Sequence, residues 1–126
     1  MLAKGLNLTV KIAFIAVLLV GCTVDERDDP RALPSEESGI IGKELFIEIM
    51  AEISITEAAH KSRIFLPDNS SDILFDNYTT IFSSHGVTVE EFERSHEWWW
   101  KHPAAMKSVL QGVTERLNEI EREVNS

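Results

Sequence analysis

The stretch Thr88-Val89-Glu90-Glu91-Phe92-Glu93-Arg94-Ser95-His96-Glu97-Trp98-Trp99-Trp100-Lys101-His102-Pro103-Ala104-Ala105-Met106 holds a helix start, a helix stop and a second helix start. Thr88 with Glu91 three residues later has the spacing of a capping box, in which the hydroxyl serves an otherwise unpaired N–H of the first turn and the carboxylate reaches back. Val87 before the cap and Phe92 after it have the spacing of a hydrophobic staple. The helix is expected to stop at His102, because Pro103 disfavours helical geometry in the residue before it and suits the first position of a new helix. Helices that follow one another with almost no loop point to an all-α domain.

Downstream, Met106, Val113 and Ile120 with Leu110, Leu117 and Val124 form two seven-residue series offset by four, an amphipathic stripe to the C-terminus. Upstream, Gly86 is expected as the left-handed C-cap of a helix carrying Leu74, Phe75, Tyr78, Ile81 and Phe82, capped at its start by Ser71 or a neighbour. Pro67, Asp68 and Asn69 break the period before it. From Gly42, Leu45, Phe46, Ile49, Met50, Ile53, Thr56 and Ala59 or His60 recur at three- and four-residue steps and predict a helix over 43–62. The expected architecture is a small antiparallel bundle of about four short helices over residues 42–126. Such a domain can bury a core with little margin.

The other end of the chain is built differently. Lys4 and Lys11 stand among the first 21 residues without any acid, and Ile12 to Val20 is an apolar run. This is the layout of a secretory signal peptide, and the run is far shorter than the roughly 20 residues a membrane-crossing helix needs. Leu19-Val20-Gly21-Cys22 then resembles the lipobox of bacterial lipoproteins. The resemblance implies removal of residues 1–21 and diacylglycerol on Cys22, the chain's one cysteine. That cysteine therefore reads as an attachment point, and it has no partner for an internal disulfide. One acyl chain binds a bilayer only marginally, but the two or three of a lipoprotein hold permanently, at about 0.8 kcal/mol per buried methylene.

Residues 22–41 read as a lipidated cysteine with an acidic flexible linker. Pro30, Pro34, Ser35, Ser38 and Gly39 interrupt any pattern, and acids outnumber arginines. No fold is expected there, and the nineteen residues from Thr23 to Ile41 would span roughly 25 Å as a coil. Asp25, Glu26, Asp28 and Asp29 resemble the acidic surface-export tags of some Gram-negative lipoproteins; a merely solvated linker is the alternative. Thr23 after the cysteine resembles the outer-membrane sorting pattern. The formal charge of −9 repels nucleic-acid phosphates, and no basic stripe offsets it, so nucleic acid is not expected as a partner.

From about Ile40 onward the features fall in a particular order. Thr56-Glu57-Ala58-Ala59 is followed by a tyrosine-bearing second helix ending His85-Gly86-Val87. Then come Glu90-Glu91-Phe92, Ser95, an aromatic cluster, Pro103, Met106 and a leucine-bearing last helix. In this order the chain resembles small lipoproteins of Gram-negative envelopes carrying a domain of unknown function catalogued under the number 4296. Where that family tends to have a pair of aromatic residues, this chain has three tryptophans. The resemblance implies fold and location and brings no activity.

Four signals bear on a site. Trp98, Trp99 and Trp100 spread over about 200° of a helix surface, more than one core-facing stripe covers, so at least one ring is expected to be exposed. An exposed tryptophan suits a partner contact or a membrane interface; the alternative is that two rings build the core and the third covers the last helix. Glu57 with His60 and Glu93 with His96 repeat the Glu-x-x-His spacing of dimetal helical bundles, a weak metal candidacy because inward glutamates on the other helices are lacking. His85 is expected to cap carbonyls at its helix end. Ser95 stands in no nucleophile motif and reads as a small residue at a close helix contact.

The function expected from these residues is that of a lipid-anchored cell-envelope lipoprotein acting as a non-catalytic binding or assembly module. It needs no cofactor, is held to the membrane through Cys22, and meets an envelope protein partner, with the periplasmic face of the outer membrane favoured. The alternative is a carboxylate/His metal-binding enzyme on a helical bundle.

Overall fold

The computed structural model describes residues 25–62 and 70–126, with only the backbone of Glu26, Ser70 and Ser71. The signal peptide, Cys22 and the Pro67–Asn69 break lie outside the described residues. Four α-helices follow two short 3₁₀ turns, Glu26–Asp28 and Glu36–Ser38. They are α1 (Lys43–Ser62), α2 (Ser70–Ser84), α3 (Val89–Trp100) and α4 (Pro103–Val124). Helix α1 packs on α4 and α2, and α3 packs on the same two, which closes a ring of four around one core. Among the described residues there is no strand, and the fold is a small all-α bundle.

The local signals act where the chain places them. Thr88 Oγ1 accepts a hydrogen bond from the Glu91 N–H at 3.1 Å and so serves one of the unpaired donors of α3. Only this half of the capping box forms; no bond returns from the Glu91 carboxylate among the described residues. Gly86 sits at φ 67°, in the left-handed region where only glycine is unstrained, and turns the chain out of α2. Pro103 opens α4, where its missing N–H costs nothing. Helix α3 itself ends at Trp100, two residues before the expected stop, with Lys101 as its C-cap and His102 as the N-cap of α4. Replacing Thr88 by alanine should cost about 1 kcal/mol, a fall of roughly 4–8 °C in melting temperature for a domain of this size. A calorimetric scan that shows no shift would place the start of α3 under tertiary control.

The core is aromatic at its centre. Phe46, Ile49, Trp99 and Val109 have no exposed surface, and Ala51, Ala105 and Met106 are buried with them. The Phe46 ring stacks on both Phe92 and Trp99, with centroids 5.8 Å apart in each case, and Phe92 stacks on Phe82 at 4.6 Å. These pairs join α1, α2 and α3 through one aromatic run. The α4 stripe differs from the two seven-residue series: Ala105, Met106, Val109 and Val113 are buried, whereas Leu110 and Val124 face solvent. Heptad spacing assumes a neighbour along the whole helix, but the core occupies only its N-terminal half. Gly112 meets α1 closely, since a Cβ there would lie 2.5 Å from Ile47 Cδ1.

The largest departure is N-terminal. The segment from Asp25 to Ile41, expected as an unstructured linker, is docked on the bundle. The Glu26–Asp28 turn lies against α4, Ala32 packs on the core, and Ile41 is buried. Composition misleads here because two apolar residues of a polar segment, Ala32 and Ile41, pack on the core.

Candidate functional site

Ile41 is held at both ends of its peptide unit. Its N–H donates to Ser95 Oγ at 2.8 Å, and its carbonyl accepts from Trp99 Nε1 at 3.2 Å. Ser95 and Trp99 are one helical turn apart on α3, so their side chains stand on one face, spaced to meet the two ends of an extended residue. Ser95 is fully buried, and its hydroxyl donates onward to the Glu91 carbonyl at 2.6 Å, which leaves its lone pair free for Ile41. The small residue at a close contact is thus explained, but the contact is with the tail and not with another helix. Ile41 and Phe46 also flank Gly42, the residue before α1, at the staple spacing, and this pair could have revealed the docked tail from sequence.

The three tryptophans have three different environments. Trp99 is core and is unavailable to any partner of the folded domain. Trp98 is half-buried, meets Trp99 edge-on at 4.9 Å and stacks on His102 at 3.9 Å. Its outer surface shares a shallow recess with His102, Asp29, Ala32 and Leu33 of the docked tail. His102 Nδ1 lies 2.7 Å from the Trp98 carbonyl, an acceptor only, so that nitrogen carries the proton. Trp100 alone is exposed, at 53%. Its Nε1–H donates to His96 Nε2 at 2.8 Å, which makes His96 the Nδ1–H tautomer and fixes the indole against its own helix. Of the three candidate contact rings, at least one of which is expected to be exposed, only Trp100 is.

The two Glu-x-x-His pairs are not brought together. Glu57 Oε1 accepts from the Tyr78 hydroxyl at 2.7 Å across α1 and α2. His60 lines a groove of about 330 Å³ between those helices with Ile55, Ile73 and Ile81. On α3, His96 Nε2 is engaged by Trp100 and Glu93 is exposed. Among the described residues no three His, Cys, Asp or Glu side chains group in a way that could hold an ion. His85 does not cap carbonyls: its Nε2 lies 3.1 Å from Glu52 Oε1 and ties the end of α2 to α1. The nearby carboxylate on α1 offers a charged acceptor, stronger than a carbonyl.

Electrostatics tie the remaining helices. Arg116 on α4 reaches Glu48 of α1 at 2.8 Å and Glu119 and Glu123 at 3.4 and 3.7 Å. Desolvation works against its charge, but the three carboxylates outweigh it and raise the guanidinium above its ordinary value. Burial, the hydrogen bond to Glu57 and that residue's charge push the Tyr78 hydroxyl up to about 12. Tyr78 is the single tyrosine, so ultraviolet titration reads it alone. A raised value means that the neutral phenol stabilises the fold below pH 10 and that this contribution is lost as pH climbs from 10 towards 12. The tyrosinate signal should rise near pH 12 in folded protein, followed by circular dichroism, and nearer 10 in Glu57→Gln; coincident midpoints would remove the carboxylate's part.

A family model described as Domain of unknown function (DUF4296) matches residues 38–123. The match begins inside the docked tail, three residues before Ile41. No curated protein and no solved structure matches the chain.

Proposed function

We propose, from the premise that this chain belongs to the DUF4296 family, that it is a lipid-anchored envelope protein whose bundle binds a protein partner without catalysing a reaction. The observation that carries the reading is Trp100. An exposed indole is a strong anchor when a partner covers it, and one already pinned to His96 has less rotamer freedom to lose on binding. The anchor rests on the apolar run and Leu19-Val20-Gly21-Cys22. An outer-membrane location with the domain on the periplasmic face fits Thr23 after the cysteine.

Two measurements test this. Metabolic labelling with a clickable palmitate analogue should mark the chain, and Cys22→Ala should lose the label; a labelled Cys22→Ala protein refutes the anchor. A photocrosslinking amino acid at position 100, irradiated in intact envelopes, should give one discrete protein adduct that a probe at exposed Asp76 does not. Trp100→Ala should leave melting nearly unchanged while abolishing co-purification of that protein. Equal adducts at both positions, or none, would defeat the binding role of this ring.

A further inference from the structure

We infer that the domain rests on the lipid surface by the corner between α3 and α4, with α4 pointing away from the membrane. The inference rests on the lipoprotein reading of Cys22 and adds an orientation to it. The Glu26–Asp28 turn, which starts four residues after Cys22, lies against α4. Asp29, Ala32 and Leu33 share the recess with Trp98 and His102, which puts the tail at the N-terminal end of α4. Only three peptide steps separate Asp25 from Cys22, a reach of at most about 11 Å. The headgroup layer on one side of a bilayer is itself about 5–8 Å thick. A lipid on Cys22 thus leaves almost no gap under the corner, in place of the roughly 25 Å of a free coil.

Ion pairs partly neutralise the corner. The chain is acidic overall, and three acids at the corner have a cation beside them: Asp25 with Arg27 at 3.3 Å, Asp29 with Arg31 at 3.7 Å, Glu97 with Lys101 at 2.7 Å. The Asp25 carboxylate is held below its usual value by the Arg27 N–H first and its guanidinium next, with a smaller pull from His102. At the far end Glu115, Glu119, Glu121 and Glu123 stand against two arginines, of which Arg116 also serves Glu48. Helix α4 has 22 residues and is about 33 Å long at 1.5 Å per residue. The corner-down orientation therefore holds those four glutamates beyond a Debye length of about 8–10 Å from anionic headgroups. It also sets Leu33, 64% exposed, and Trp100 at the end of α3 near headgroup level, where an indole is well accommodated. A partner that meets Trp100 must then present its surface at the membrane.

The test uses full-length lipidated protein in vesicles of phosphatidylethanolamine and phosphatidylglycerol. Cys22 is occupied by lipid, so a cysteine introduced elsewhere takes a spin label alone. A label at Lys101→Cys should lose access to an aqueous nickel chelate and gain access to lipid-dissolved oxygen; one at Asn125→Cys should behave as in water. A flexible Gly-Ser insertion of about twelve residues after Val24 adds roughly 20 Å of reach and should return the Lys101→Cys label to water. Labels that behave alike in the native-length protein overturn the orientation, as does an insertion without effect. Protein that carries no lipid on Cys22 overturns the anchor and the orientation together, whereas lipidated protein with equivalent labels overturns only the orientation.

Discussion

Trp99→Ala is expected to abolish cooperative melting, because it removes the largest fully buried side chain and the donor that holds the docked tail. Truncating a buried tryptophan costs about 3–5 kcal/mol, through lost burial and the cavity left behind. The Ile41 carbonyl also loses its donor, at about 1–3 kcal/mol if it stays buried. A small domain has on the order of 5–15 kcal/mol in all, so the sum takes most of the lower end of that range. Trp99→Phe keeps much of the ring against Phe46 and loses only the hydrogen bond and some volume, and should fall between. Thermal unfolding followed by far-ultraviolet circular dichroism decides the matter. A Trp99→Ala protein melting within a few degrees of the parent would show that the aromatic run is not the keystone.

Removal of the tail should be nearly as damaging. A fragment from Gly42 to Ser126 lacks Ile41, whose burial contributes about 1.5–3 kcal/mol, and the two backbone hydrogen bonds, at about 1 kcal/mol each. We expect it to be less stable than Asp25–Ser126 by about 4 kcal/mol in urea. A free linker predicts no difference, so the comparison is direct. Ile41→Ala in the longer protein keeps both backbone bonds and should lose about 2–4 kcal/mol, which separates side chain from clamp. Equal stability of the two fragments would return residues 25–41 to the status of a tether.

The helices were legible because their signals are local. The three- and four-residue recurrence from Leu45 to Ala59 fixes α1, and Thr88, Gly86 and Pro103 mark their boundaries through backbone chemistry that needs no knowledge of neighbours. What could not be read is which apolar residue finds a partner. Leu45 and Leu110 fit their stripes and face solvent, while Ala51 and Val109 are buried, because burial depends on where the other helices end. The tail was missed because its composition is polar and its two holding residues, Ala32 and Ile41, are far apart. At the candidate site, the sequence indicated that three adjacent rings cannot share one face. The His96–Trp100 bond is a local contact four residues apart, whereas that Trp99 is the core ring follows from the position of Ile41, 54 residues before Ser95. His85 was misread for a similar reason, since Glu52 lies 33 positions away.

The clamp on Ile41 also sets an order of events in folding. Its two bonds close loops of 54 and 58 residues, whereas α3 and α4 meet across a two-residue corner. Nearby contacts repay their entropy early and distant ones late. The Ser95–Trp99 pair becomes a receptor for Ile41 only once α3 is wound, so the tail is the last part of the chain to arrive. In hydrogen exchange the Ile41 amide should accordingly open by a route of its own, at a free energy below that of α1 and α4, and report release of the tail while the bundle stays closed.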